Sequence, residues 1–137
     1  MLKIKFWTLL ILMAGAGISC TSTDYAYYHG KSASMKNVLY GKASYYGPKF
    51  HGRKTANGEI FDQDKLTAAH KSLPFDTIIR VTNLSNKKQV TVRINDRGPF
   101  VGNRILDLSL GAARKLDGLR QGVMDVKIEI LKRGSDQ

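Results

Sequence analysis

The feature that most constrains the fold is a strand that ends abruptly in a turn. Residues Val90–Phe100 read V-T-V-R-I-N-D-R-G-P-F, and apolar and polar side chains alternate over the first six positions. This period of two is typical of a β-strand with one buried face. Gly98 and Pro99 then stop the pattern, because glycine adopts unusual backbone angles and proline lacks an N–H group. Such a turn would hold the carboxylate of Asp96 rigidly, although an aspartate here can also serve only to cap the turn.

Alternating segments elsewhere predict an all-β fold. Similar patterns predict strands at 38–47, 67–70, 77–82, 89–94, 104–108 and 123–131. Residues 60–66 are expected to form a short helical turn, and Ser109 is a good N-cap for a helix over 110–116. About six short strands with one or two short helices favour a compact β-barrel.

The N-terminus carries the pattern of an export signal. Lys3 and Lys5 precede the apolar run Phe6–Ile18, which is too short to span a bilayer as a helix. Cys20, the single cysteine of the 137 residues, follows small residues and resembles the lipidated cysteine of bacterial lipoproteins. A plain secretory signal near an unrelated cysteine is the alternative. We therefore expect a signal peptide at 1–19, a lipid-anchored tether at 20–37, a domain at 38–132 and a polar tail at 133–137.

The net charge of +11 limits the partners. A basic surface attracts nucleic acid, anionic lipid or an anionic polymer. Export and the scattered distribution of Lys and Arg argue against nucleic acid, since no Arg-rich helix or RNA-binding aromatic motif is present. Lipid headgroups and a cell-wall glycan that carries carboxylates remain as candidate partners.

Six motifs occur in a fixed order along the domain. They are ASYYG at 43–47, HGRKTANGE at 51–59, LTAAH at 66–70, LPF at 73–75, VRINDRGPF at 92–100 and ILDLS at 105–109. Together they resemble the rare lipoprotein A (RlpA-like) family across nearly all of 38–131.

This resemblance implies a six-stranded double-psi β-barrel. It also implies a bacterial envelope lipoprotein that acts on peptidoglycan. We expect a monomer anchored by its N-terminal lipid, in the outer membrane facing the periplasm if the cell is Gram-negative. In studied relatives such proteins are lytic transglycosylases that cleave peptidoglycan glycan strands. Two departures stand out: the chain ends six residues after Leu131, so no SPOR domain is expected, and the usual Trp-Tyr-Gly is Tyr45-Tyr46-Gly47.

The resemblance also suggests the catalytic residues. A lytic transglycosylase needs a proton delivered to the leaving oxygen, while the C6 hydroxyl of muramic acid attacks its own C1. One carboxyl group that acts as acid and then as base can do this. We expect Asp96 in this role, with a pKa raised by partial desolvation. Glu59 is expected as a second acid or base or as a sugar ligand, and His70 as the residue that orients Asp96 or the C6 hydroxyl.

The remaining candidates bind substrate. Tyr45 and Tyr46 are expected to stack on sugar rings, although Tyr46 can equally belong to the barrel core. Hydrogen bonds to sugars are expected from Thr55 and Asn57. The planar guanidinium groups suited to lactyl carboxylates are those of Arg53 and Arg97. We expect no metal and no cofactor, because His51 and His70 lack cysteine partners and zinc-like spacing.

A second functional class fits the same motifs. An expansin-like module would bind or loosen glycan without cutting it. The presence of Glu59, His70 and Asp96 favours the enzyme.

Overall fold

Six β-strands close into one barrel in this computed structural model, which describes residues 37–135. The strands are β1 (Val38–Tyr45), β2 (Thr67–His70), β3 (Ile78–Asn83), β4 (Gln89–Asp96), β5 (Arg104–Leu108) and β6 (Met124–Lys132). The one α-helix of the described residues, α1, covers Leu110–Lys115, and a short 3₁₀ turn covers Pro48–Phe50. The predicted all-β class and the number of strands are confirmed. Cys20, the signal peptide and the tether up to residue 36 lie outside the described residues.

The order of strands around the barrel is β1-β5-β2-β4-β3-β6. β1 pairs with β5 and β2 with β4 in parallel, and the other four pairs are antiparallel. The ends of β1, β2 and β4 carry motifs singled out in the sequence. β2 and β4 are neighbours in this order, and β5 joins β2 to β1.

The core follows from the alternation of the strands. In β4, Val90, Val92 and Ile94 point inward and are 7%, 1% and 0% exposed, while Gln89 and Thr91 face solvent. The same alternation supplies inward-facing residues from the other five strands, and α1 and two loop residues complete the core. The buried core consists of Ala43, Ala68, Leu73, Ile79, Val81, Val90, Val92, Ile94, Leu106, Leu108, Ala112, Leu116, Met124, Val126 and Ile128.

The expected helical turn over 60–66 is wrong as a helix. The chain makes a single hydrogen-bonded turn, in which Lys65 N donates to Asp62 O at 3.3 Å. The Asp62 side chain accepts from Asp64 N at 3.0 Å, and this local bond competes with helix formation. The segment is also held from outside, because Gly111 N donates to Gln63 O at 2.8 Å.

Helix α1 begins where the sequence predicts. The Ser109 hydroxyl accepts from Ala112 N at 3.2 Å and so satisfies one of the free N–H groups of the first turn. Gly111 is required for packing, because a Cβ at this position would collide with the carbonyl group of Asp64. The helix therefore fixes the position of the 61–66 segment on the barrel.

The residues just past β6 still contact the barrel. Gly134 N donates to the Thr77 hydroxyl at 3.0 Å. The described part of the segment expected as a polar tail thus runs along the start of β3.

Candidate active site

Asp96 is held by three hydrogen bonds at the end of β4. Its Oδ1 accepts from Ala56 N and from Arg97 N, both at 2.8 Å, and its Oδ2 accepts from the Tyr46 hydroxyl at 2.7 Å. Two of these donors belong to distant parts of the chain, one at the end of β1 and one in the loop before β2. The carboxylate is therefore fixed in place before any ligand binds, as the strand-and-turn pattern predicts.

Tyr46 connects Asp96 to a small aromatic cluster. Its ring packs against Phe61 at 4.8 Å and Phe50 at 5.5 Å between centroids. Burial raises the pKa of the Tyr46 phenol well above its usual range, and the hydrogen bond to Asp96 raises it further. The phenol keeps its proton and donates it to Asp96. The partly exposed ring thus lies outside the barrel core.

Glu59 forms the second charged centre of the site. Arg93 donates to both of its oxygens, at 2.7 and 2.8 Å, in the paired geometry favoured by a guanidinium and a carboxylate. Asn95 and Asn57 add bonds at 3.1 and 3.0 Å. These donors, the Arg93 pair first, lower the pKa of Glu59 to about 2.

The low pKa limits what Glu59 can do. A carboxyl group with this pKa is ionised at neutral pH and is a poor source of protons. The same ion pair ties the loop that carries Glu59 to β4. Of the two roles expected for Glu59, the geometry suits a sugar ligand better than an acid, and it adds a bracing role that the sequence did not indicate.

Thr55 and Asn57 stiffen the same loop. Thr55 is 6% exposed, and its hydroxyl donates to Asn57 Oδ1 at 2.6 Å and lies 3.2 Å from Glu59 O. Asn57 Oδ1 also accepts from Glu59 N at 3.1 Å. Their side chains are thus engaged within the loop, and Asn57 remains partly exposed.

Arg93 and Asn95 are site residues that the sequence reasoning did not single out. They sit at alternate positions of β4 and are the polar members of its period-two pattern. Asn95 is only 3% exposed. The sequence did contain a signal for them. An arginine and an asparagine alternate in the strand directly before the candidate carboxylate of Asp96.

His70 lies at the end of β2 and is 8% exposed. Its Nδ1 accepts from Ser72 N at 3.1 Å and from Leu73 N at 3.0 Å, so the neutral ring carries its proton on Nε2. Burial, and then the charges of Arg97 and Lys71, lower the pKa of His70 and keep it neutral. Within residues 37–135 no hydrogen bond joins His70 to Asp96 or Glu59.

His70 also lines a different cavity. This cavity of about 360 Å³ has apolar walls from Leu39, Leu73 and Ile105. Glu59 lines two other, polar cavities of about 470 and 390 Å³. His70 and Glu59, which were expected to act together with Asp96, thus line different cavities.

Tyr45 points away from Asp96. Its ring packs against the core and its hydroxyl donates to Leu119 O at 3.2 Å. Since successive strand residues face opposite sides, Tyr45 and Tyr46 take different environments. The structure does not bring Tyr45 into the Asp96 site.

The two arginines expected to bind carboxylates differ in whether the protein already engages their guanidinium groups. The Arg97 guanidinium donates to Leu73 O at 2.9 Å and lies 3.8 Å from the centre of the Phe75 ring. Arg53 is exposed, 5.6 Å from the Phe50 ring, and no acceptor engages its side chain among the described residues. Arg53 is the one better placed to meet an anion.

Two further properties concern the described residues as a whole. Along residues 37–135, no helix combines the length and apolar composition needed to cross a membrane. Over the same span, His, Cys, Asp and Glu side chains form no group of three or more that would suit a metal ion.

Known proteins share this sequence and this barrel. The lytic transglycolase family profile matches residues 39–128. The chain is 60% identical over 108 residues to the endolytic peptidoglycan transglycosylase RlpA of Campylobacter jejuni, which covers 79% of this chain and 39% of the relative. It is 56% identical over 110 residues to the protein of that name from Neisseria meningitidis, with 77% and 46% covered. The chain thus spans less than half the length of these curated relatives.

Solved structures agree on the fold. An expansin from Clavibacter michiganensis superimposes with a TM-score of 0.56 at 21% identity, covering 72% of this chain and 52% of that chain. The Streptomyces papain inhibitor gives a TM-score of 0.54 at 22% identity, with 69% and 94% covered. The barrel is therefore a double-psi β-barrel, and the chain belongs to the RlpA-like lytic transglycolase family.

Proposed function

We propose that this protein is a peptidoglycan lytic transglycosylase. The observation that carries the proposal is the carboxylate of Asp96, held by three donors at a strand end. Its neighbour Asn95 and its donor Ala56 each line a polar cavity. The relatives named as endolytic peptidoglycan transglycosylases supply the substrate class.

The chemistry requires two proton movements. The C6 hydroxyl of N-acetylmuramic acid attacks C1 of its own ring, and the bond from C1 to the oxygen of the next N-acetylglucosamine breaks. One proton leaves the C6 hydroxyl and one reaches the leaving oxygen, so that an anhydro ring forms without water. Asp96 is the carboxylate fixed in position to exchange such a proton.

The surrounding residues support the charge and the substrate. Tyr46 fixes one oxygen of Asp96 and stays protonated. The ionised Glu59 and its partner Arg93 hold the loop against β4. Arg53, exposed beside this loop, is suited to the lactyl carboxylate of muramic acid.

Mass spectrometry of purified glycan strands tests this function. Wild-type protein should create new anhydro-muramic ends, and Asp96→Asn should lower their rate of formation by 10²–10⁴-fold, as is typical of acid–base steps. Asp125→Asn is the matched control, because Asp125 is 68% exposed and, within residues 37–135, forms an ion pair only with Lys42. Wild-type protein that binds strands without forming anhydro ends would instead be an expansin-like binding module.

We propose in addition that the protein is a lipoprotein of the bacterial envelope, anchored to the membrane through Cys20. The basic residues, the short apolar run and the single cysteine of the N-terminus support this. Cys20→Ser should release the protein from the membrane fraction or stall its processing. If Cys20→Ser fractionates with membranes like the wild type, the anchor is not at Cys20.

A further inference from the structure

Four neighbouring strands align a row of side chains on the outer face of the barrel. Ser44 of β1 pairs with Asp107 of β5, and Asp107 pairs with Ala69 of β2. Ala69 in turn pairs with Asp96 of β4. Directly paired residues project to the same face of a sheet. Asp107 and Asp96 therefore stand on one face, on either side of Ala69.

Asp107 faces outward because its neighbours face inward. Leu106 and Leu108, on each side of it in β5, are both fully buried in the core. The two aspartates are two strand spacings apart, which places their Cα atoms about 10 Å from each other. Carboxyl pairs that cleave glycosidic bonds work at separations of about 5–9.5 Å, a distance that the side chains can reach from this backbone spacing.

Tyr46 lies between the two carboxyl groups. Its N–H bonds to Leu108 O of β5 at 2.9 Å, while its hydroxyl reaches Asp96 on β4. The phenol must therefore cross above β2, where Ala69 contributes only a methyl group. In agreement with this position, the charges of both aspartates raise the pKa of Tyr46.

The two carboxyl groups have opposite environments. Asp96 accepts three hydrogen bonds, whereas Asp107 Oδ1 is buried and has no hydrogen-bond partner among the described residues. Its nearest cation is Arg104, whose Nε lies 3.4 Å away. Burial raises the pKa of Asp107, and Arg104 only partly opposes the shift. A buried carboxyl group without a hydrogen-bond donor favours its protonated form, so Asp107 is suited to the role of the acid.

We infer that Asp107 is the second catalytic carboxyl group, the acid that protonates the leaving oxygen while Asp96 accepts the proton of the C6 hydroxyl. This assignment rests on the proposed transglycosylase function. The bond from C1 to the leaving oxygen breaks as the bond from C6 oxygen to C1 forms. The leaving oxygen takes the proton of Asp107, and Asp96 takes the proton of the C6 hydroxyl. Proton exchange with solvent then restores both groups.

Two substrates separate this role from a structural one. On natural glycan strands, Asp107→Asn should lower anhydro-product formation by 10²–10⁴-fold. On a short glycan ending in an aryl glycoside of N-acetylmuramic acid, the phenolate leaves without a proton, so Asp107→Asn should stay within about tenfold of wild type. Asp96→Asn should lose activity on both substrates, and Asp125→Asn on neither. Asp107→Glu, which restores an acid, should recover part of the natural activity.

The pH profile gives a second readout. The charged and titratable groups on this face are Arg104 on the same strand as Asp107, Tyr46 directly after β1, and Asp96 on β4. Arg104→Gln removes the cation that lowers the pKa of Asp107, so the alkaline limb of the rate profile should move to higher pH.

Each outcome decides the assignment. A folded Asp107→Asn protein with wild-type turnover on glycan strands would refute it, as would equal losses on both substrates. If Asp107→Asn does not fold, the Arg104→Gln profile decides, and an unmoved alkaline limb refutes the acid role. A wild-type protein that forms no anhydro ends would refute the proposed function itself, and this inference with it.

Discussion

Replacing Glu59 by Gln tests whether this residue is a brace or an acid. In the structure its two oxygens accept four side-chain hydrogen bonds, two of them from Arg93. Glutamine keeps the shape but turns an NH₂ group toward these donors and removes the charge that Arg93 neutralises. We expect a less stable protein whose pH–rate profile keeps its shape.

The size of the effect follows from the pKa of Glu59. A fall from 4.5 to about 2 corresponds to about 3.4 kcal/mol if taken in full. The Glu59 side chain is 41% exposed, so solvent screening reduces the stabilisation to about 1–2 kcal/mol. For a domain of this size, the loss should lower Tm by roughly 5–15 °C at neutral pH.

The sign of the pH dependence is fixed. Because folding lowers the pKa of Glu59, its stabilisation is complete above the unfolded value of 4.5 and disappears as pH falls toward 2. The difference in unfolding free energy between wild type and Glu59→Gln should therefore be largest at pH 6–7. It should shrink as the pH falls from 4.5 toward 2.

Urea unfolding at pH 7, 4 and 2.5 measures this difference directly. Asp125→Asn is the control, since Asp125 belongs to an exposed pair, and it should change stability by less than about 0.5 kcal/mol. A constant difference between wild type and Glu59→Gln across the three pH values would refute the brace. The brace would also be refuted if Glu59→Gln were as stable as wild type and its pH–rate profile lost one limb, because that loss would indicate an acid or base.

Three further substitutions probe the packing around the site. Tyr46→Phe keeps the ring but removes the donor to Asp96, so it should cost about 1 kcal/mol or less in melting experiments and lower anhydro-product formation by tenfold or more; unchanged turnover would separate Tyr46 from catalysis. Gly111→Ala should cost about 1–3 kcal/mol in urea unfolding, because its methyl collides with the Asp64 carbonyl; wild-type stability would mean that the loop gives way freely. Tyr45→Ala should lower stability by about 2–4 kcal/mol while folded protein still binds sacculi; weak binding at full stability would restore Tyr45 as a sugar platform.

Much of the barrel could be predicted because the alternation of side chains is a local signal. The predicted strand over 67–70 and the one over 104–108 match β2 and β5, and Ser109 caps α1 as expected. The error at 60–66 has a different origin. That segment is positioned by Gly111 and by its own Asp62 side chain, and neither bond follows from periodicity.

The partners of the candidate site could not be predicted in the same way. Motif order marks Glu59, His70 and Asp96 but says nothing about which donors surround each of them. The Arg93 pair and the Ala56 bond join residues more than 30 positions apart. The divergent surroundings of Tyr45 and Tyr46 likewise depend on where β1 ends, which the structure places two residues before the predicted boundary.

A β-bulge at the end of β4 explains why strict alternation does not predict the direction of the Asp96 side chain. Ala68 pairs with Ile94 and Ala69 with Asp96, so Asn95 is an extra residue in β4. Without this bulge, Asp96 would point into the core like Ile94, because residues two positions apart in a regular strand face the same side. With it, Asn95 and Asp96 both face the loop before β2, where Asn95 bonds to Glu59 and Asp96 to Ala56 N. One strand end thus fixes the loop and presents the carboxylate together, and the rigidity of Asp96 depends on the same loop that the Glu59 ion pair holds in place.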